Sequence, residues 1–205
     1  MSLGITVNQH KNGILLAYIA NKIPNIHLRK LLKIVYLIDE HFTKMRGFPL
    51  TWFDYYAWEK GPVAPEVYAV KNGSFSDFVS VKCNEEGKRV VNSIQSHEFL
   101  IYKEMDEFSQ SEISEIEKLL FEFKDKSADD LSDMTHIPDS LWSKVVSENN
   151  IVFDDQHHKS DCQINLLSLF GDGDYRREIY EDAQWNMEFQ AMLNEKRADR
   201  NVPTA

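Results

Sequence analysis

The chain has 205 residues, of which 42% are apolar and 27% charged, and its formal net charge is −10. These values exclude wholesale disorder and argue against a nucleic-acid-binding protein that works by neutralising phosphates. The charge is uneven, because residues 1–71 carry nine Lys/Arg and five Asp/Glu, whereas the remainder carries 14 and 28. An acidic C-terminal part suits either solubility or a basic protein partner.

Local patterns exclude further classes of protein. No segment approaches the roughly 20 apolar residues of a membrane span, so no membrane partner is expected. The start, MSLGITVNQHKNG, lacks the basic end and the apolar run of a signal peptide. Cys83 and Cys162 lie far apart without a companion at metal-binding spacing, which predicts free thiols in a reducing cytoplasm. The sequence has no glycine-rich phosphate loop, and we expect no cofactor and no metal.

Two helices are predicted near the N-terminus. Residues 13–23 form a short amphipathic helix that ends at Pro24. Residues 26–47 form the clearest helix of the chain, with Gly47 as its stop signal. Lys30, Lys33 and Lys44 fall outside its apolar stripe and are expected in solvent. The stripe itself is expected in the core and consists of Leu28, Leu31, Leu32, Val35, Tyr36, Ile38, Phe42 and Met45.

The next segments predict strands. LTWFDYYAW (50–58) has the aromatic content of a short strand, which Gly61 and Pro62 then break. Residues 63–73 predict a helix of about two turns. FSDFVSVKC (75–83) and GKRVVNSI (87–94) flank a turn and predict a β-hairpin.

Helices dominate the rest of the chain. Residues 109–126 predict a helix that starts with a capping box of Ser109 and Glu112, and residues 127–136 predict a shorter one. A polar stretch from residue 148 predicts an exposed linker, and residues 175–197 predict a last helix. We therefore expect a mainly α fold with a small antiparallel β-sheet (α+β). It divides into a compact domain at 1–147 and a helical extension at 148–205, packed on the domain or used for partner binding.

Candidate chemical groups are few. Asp133 and His136, three residues apart near a helix end, fit an acid–base pair or, more simply, a histidine set against the helix C-terminus. The Asp-Glu-His run at 39–41 does not share one helix face. Residues with metal-binding side chains also occur close together at His157, His158, Asp161 and Cys162. Adjacent histidines in an extended segment point in opposite directions, however, so this segment is expected to be a solvated loop. The chain is therefore expected not to be an enzyme.

Two motifs follow one another along the chain. A Lys-Leu helix leads into a short strand and a Trp-x-x-Gly-Pro-Val-x-Pro-x-Val-Tyr turn, represented by Leu31, Tyr36, Trp58, Gly61, Pro62, Val63, Pro65, Val67 and Tyr68. A Leu-Ser-x-x-Thr-His segment ahead of a Trp follows, represented by Leu131, Ser132, Thr135, His136 and Trp142. With these motifs, roughly residues 12–147 resemble the Panacea domain family of SocA-like antitoxins. The family often has Glu-Asp between the His and the Trp, where this chain reads Ile-Pro-Asp-Ser-Leu (137–141), so no contact that needs that Glu is carried over.

The resemblance implies a mainly helical domain with a small sheet, acting as the antitoxin of a bacterial or phage toxin–antitoxin pair. Such an antitoxin binds its cognate toxin directly; delivery of the toxin to a protease is an alternative mechanism. The motif residues are expected to be scaffold first and partner contacts second. His136 and Trp142 are expected to fix the third quarter of the chain to that scaffold.

Residues outside the shared domain are expected to carry the contacts that differ between partners. The candidate toxin-binding side chains lie on the last predicted helix and are Trp185, Met187, Phe189 and Met192. Acidic residues surround them, namely Glu178, Glu181, Asp182 and Glu188. A DNA-binding autoregulator that uses Arg29, Lys30 and Lys33 is the remaining alternative, although the net charge makes nucleic acid an unfavourable partner.

Overall fold

A computed structural model describes residues 2–100 and 105–200 of the chain. The helices within these residues are α1 (Leu3–Lys22), α2 (Leu28–Arg46), α3 (Pro65–Tyr68), α4 (His97–Phe99), α5 (Gln110–Phe123), α6 (Ala128–Thr135), α7 (Leu141–Glu148) and α8 (Tyr175–Arg200). The strands are β1 (Ile26–His27), β2 (Tyr55–Trp58), β3 (Gly61–Val63), β4 (Val79–Cys83), β5 (Arg89–Ser93) and β6 (Gln163–Ile164). The expected mainly helical α+β class is confirmed.

Helix α2 lies at the centre of the hydrophobic core. It ends where Gly47 takes φ +96° and its N–H bonds to the carbonyl of Thr43. Lys44 is exposed as expected, but Lys33 is only 1% exposed. The expectation of a solvated Lys33 is wrong because α2 is covered on several sides by β3, α5 and α6, and not on one face alone. Met45, which was expected in the core, is 48% exposed in the last turn.

The strands form two small antiparallel sheets in the order β1-β5-β4 and β3-β2-β6. The predicted hairpin is the β4–β5 pair, with Val81 opposite Val91. Gly61 and Pro62 do more than end a strand, because they begin β3, which turns back on β2 with Trp58 opposite Gly61. The second sheet is completed from the far end of the chain, where β6 pairs with Tyr55 and Tyr56.

Asp39 is the buried carboxylate that connects α2 to residues 50–55. One carboxylate oxygen accepts the N–H groups of Leu50 and Thr51, both at 2.9 Å. The other accepts the hydroxyl groups of Thr51 and Tyr55. Burial raises the pKa of Asp39, while these hydrogen bonds act in the opposite direction. The bonds hold residues 50–54 in an irregular path, so that β2 begins at Tyr55 and not at the predicted residue 50.

The C-terminal residues pack against the same core. Tyr180 of α8 is buried with its ring centre 5.3 Å from that of Trp52. The Arg176 guanidinium donates to the carbonyl of Lys44 at 2.6 Å. The irregular segment before β6 also binds to β2, because the carbonyl of Cys162 accepts the N–H of Ala57 at 3.0 Å. Among the described residues, no helix has the length and apolar character needed to cross a membrane.

Candidate functional site

The first motif builds the β2–β3 hairpin and the helix that follows it. Gly61 has φ +102°, a left-handed conformation that a glycine adopts without strain. Pro65 occupies the first turn of α3, where its missing N–H costs no helical hydrogen bond. The rings of Trp58 and Tyr68 meet edge to face across the turn, with their centres 5.0 Å apart.

The second motif binds the backbone of that hairpin. The Trp142 indole N–H donates to the carbonyl of Trp58 at 2.8 Å. His136 Nε2 lies 3.4 Å from the carbonyl of Glu59, and the Ser132 hydroxyl donates to the carbonyl of Lys60 at 3.2 Å. Three successive carbonyls of the turn therefore meet side chains of the second motif. We call this arrangement the motif junction.

Lys33 of α2 adds a further contact to the motif junction. Its ammonium donates to the carbonyl of Pro62 at 3.0 Å. Burial, with a smaller effect of the nearby Arg29 charge, lowers the pKa of Lys33 from 10.5 to about 7. A Cβ atom on Gly61 would lie 2.7 Å from both Lys33 Nζ and Thr135 Oγ1, so any other residue at this position would force these side chains to move. Helical periodicity predicts Lys33 in solvent, because its proximity to the Gly61-Pro62 turn depends on the tertiary fold.

The other motif residues lie in the surrounding core. Those that are buried are Leu31, Tyr36, Val63, Val67, Leu131 and Thr135. The Tyr36 ring packs edge to face on that of Tyr55, with centres 5.1 Å apart, and its hydroxyl bonds to Glu40 at 3.2 Å. These positions have the environment of a scaffold.

The candidate acid–base pair is arranged differently from an active-site dyad. His136 Nδ1 lies 2.5 Å from the carbonyl of Ser132, and its ring centre is 3.9 Å from that of Trp142. Asp133 is exposed on α6. Both ring nitrogens of His136 therefore face backbone carbonyls at the motif junction.

The candidate metal cluster is spread over different partners. His157 contacts Asp154 at 2.9 Å, within its own loop. His158 contacts Glu59 of the hairpin at 2.8 Å. Within the described residues, no group of three or more His, Cys, Asp or Glu side chains could hold a metal ion.

Helix α8 divides the four candidate toxin-binding residues between two faces. Met187 points inward, where its sulfur lies 3.9 Å from the Asn8 amide nitrogen. Trp185, Phe189 and Met192, which we call the α8 face, are 64%, 42% and 49% exposed. The rings of Trp185 and Phe189 are stacked, with their centres 5.6 Å apart.

The α8 face has a mainly acidic border, although Lys196 follows Met192 by one turn and Glu181 is paired with Arg177 at 3.3 Å. Between residues 178 and 195 the helix carries five carboxylates and no Lys or Arg. They are Glu178, Glu181, Asp182, Glu188 and Glu195, and all five are exposed. Exposed aromatic side chains with a charged border are a composition that protein-binding surfaces often have.

The structure is that of a mainly helical α+β protein with an exposed apolar face on α8. Residues 31–143, more than half of the chain, match the family described as Antitoxin SocA-like, Panacea domain. The chain therefore belongs to the SocA-like Panacea family, and the matched residues include both motifs. No curated protein and no solved structure matches it.

Proposed function

We propose that this chain is an antitoxin that neutralises a cognate toxin by direct binding and performs no catalysis. Membership of the SocA-like antitoxin family supports the general role. The observation that carries the mechanism is the α8 face, which lies outside the matched residues 31–143 and exposes a stacked Trp185–Phe189 pair. A few residues, among which Trp is enriched, supply most of the binding free energy at a typical protein interface.

The partner is proposed to present a basic surface to α8. The five carboxylates along residues 178–195 would attract positive charge and speed association at low ionic strength. A toxin encoded beside this chain in the same cytoplasm is the partner that this role requires. Because the inner face of α8 packs on α1, the toxin would bind to the outer face without displacing the helix.

The test is co-expression of the chain with the product of the adjacent open reading frame. We expect the wild-type chain to restore growth and to form a stoichiometric complex in a pull-down. The double variant Trp185→Ala/Phe189→Ala should lose both effects, with affinity reduced about 100-fold or more, because it removes two central aromatic anchors. Circular dichroism should show an unchanged fold, since both side chains are exposed.

Phe121→Ala is the matched control. Phe121 is 73% exposed on α5 and, like Phe189, lies on a helix surface. The Phe121→Ala variant should neutralise the toxin as well as the wild-type chain does. Neutralisation that survives the double variant, or that is lost equally in the control, would contradict the assignment of the α8 face. If toxin levels fall only in cells with an intact protease, delivery to that protease replaces simple blocking.

A further inference from the structure

A cavity of about 560 Å³ opens beside the motif junction. It is bounded by the first turn of α2, the β2–β3 hairpin, the start of β5 and residues 158–159. Its volume is in the range of sites that hold a small molecule or cofactor. Its cationic lining residues are Arg29, Lys33, Lys60, Lys88, Arg89 and Lys159, and we call it the basic cavity.

The charge of the basic cavity is opposite to that of the whole chain. Six Lys and Arg side chains line it with one carboxylate, Glu59, in a protein whose net charge is −10. Surface ion pairs join Arg29 to Asp129, Lys60 to Glu59 and Lys88 to Glu86. Against these three carboxylates, the five cations other than Lys33 leave a local charge of +2, and Lys33, whose pKa is about 7, adds to it when protonated. Exposed ion pairs of this kind exchange readily for a stronger anionic partner.

The cavity also has an apolar side. Leu28, Leu32 and Val63 contribute aliphatic surface, and Trp58 and Tyr68 contribute aromatic rings. The Lys159 ammonium lies 4.4 Å from the ring centre of Trp58, so cationic and aromatic groups adjoin directly. A complementary ligand therefore carries several negative charges at one end and a flat apolar group at the other.

We propose that the basic cavity binds a mononucleotide, with its phosphates among the Lys and Arg side chains and its base against the aromatic and aliphatic wall. A nucleoside di- or triphosphate combines the charge, the ring and the size that the cavity requires. A basic toxin surface would be repelled by this cavity, because both are positively charged. The inference therefore concerns a second ligand and does not depend on the proposed function of the α8 face.

When protonated, Lys33 supplies the most deeply buried cation of the basic cavity. An ammonium group has three N–H donors, and one of them is directed to the carbonyl of Pro62. That bond leaves two further donors of the ammonium group, and a phosphate bound in the cavity would offer acceptors to them. Phosphate binding would thus involve the residue that donates to the carbonyl of Pro62 in the β2–β3 hairpin.

The test is titration calorimetry of the full-length chain with ATP and with GTP, alongside adenosine and guanosine as phosphate-free probes. We expect saturable binding of at least one nucleotide and no measurable binding of the nucleosides. The double variant Lys88→Glu/Arg89→Glu should weaken nucleotide binding about tenfold or more. Lys82→Glu, on the adjacent strand β4 and outside the cavity, is the matched control and should leave affinity within about twofold.

Lys159→Glu provides a second variant on an irregular, exposed segment, should the double variant fail to fold. If neither ATP nor GTP gives a measurable heat of binding at millimolar concentration, the proposal is overturned. So would an equal loss in Lys82→Glu, tighter binding of a polyglutamate peptide, or tighter binding of a single-stranded oligonucleotide. Trp185→Ala/Phe189→Ala should retain nucleotide binding, which separates this proposal from the toxin interface.

Discussion

Gly61 and Gly73 have nearly the same left-handed backbone, with φ +102° and +101°, but different surroundings. A Cβ at Gly61 would approach Lys33 Nζ and Thr135 Oγ1 to 2.7 Å, whereas a Cβ at Gly73 would meet no atom within 4 Å. Gly73→Ala should therefore cost about 1 kcal/mol of unfolding free energy from backbone strain alone. Gly61→Ala should cost about 2 kcal/mol more, because atoms of the motif junction must move. Urea unfolding of both variants measures the difference, and equal losses would show that Gly61 is not crowded.

Lys33 should make stability depend on pH. Its pKa is about 7 in the folded chain and 10.5 in the unfolded chain, so between these values the unfolded chain holds more protons. The free energy of unfolding should therefore rise with pH, by about 2 kcal/mol from pH 7 to 9, and this contribution should level off below pH 7. The charged and titratable groups around Lys33 are Arg29 on its own helix, Glu59 and Lys60 on the hairpin, and His136 at the end of α6.

Lys33→Met tests this dependence by urea unfolding at pH 7 and pH 9. The variant should lack the rise, because its side chain does not titrate. Lys44→Met, at an exposed position of the same helix, should keep it. A rise of the same size in Lys33→Met would assign the effect to another group. The sequence could not predict this residue, since an amphipathic stripe assumes burial on one side of a helix and α2 is covered on several.

At the scale of elements, the hairpin and helices α6 and α7 stabilise one another through the carbonyls of Trp58, Glu59 and Lys60. Trp142→Phe keeps an aromatic ring but removes the indole donor to Trp58. We expect a loss of about 1 kcal/mol in unfolding free energy, the usual contribution of such a bond. Trp185→Phe, at a 64% exposed position, is the control and should change stability by less than about 0.5 kcal/mol. Equal effects in a thermal or urea melt would contradict the role of the indole bond.

Helix α8 shows where sequence reasoning worked and where it did not. Its existence and position were predicted from residues 175–197, and the structure extends it to Arg200. The predicted toxin-binding residues include Met187 beside Trp185 and Phe189, although residues two apart lie on nearly opposite sides of a helix. The inward residues Tyr180, Ala183 and Met187 recur at spacings of three and four, so strict helical periodicity separates the two faces.

At the scale of the whole molecule, local patterns predicted the α+β class, the β4–β5 hairpin and the capping box at Ser109. Long-range pairing could not be predicted in the same way. Strand β6 has only two residues, too few for a periodic signal, yet it completes a sheet with residues more than 100 positions earlier. The basic cavity escaped prediction for the same reason, because its cations come from separate segments that fold together.

The motif junction also has a consequence for the order in which the chain is made. The carbonyls of the β2–β3 hairpin leave the ribosome 72 to 84 residues before Ser132, His136 and Trp142, whose side chains contact them. Its partner strand β6 emerges later still. Contacts of such long sequence separation form slowly, and an unpaired strand edge is exposed until they form. During synthesis, the N-terminal half therefore passes through an interval in which proteases and aggregation compete with completion of the fold.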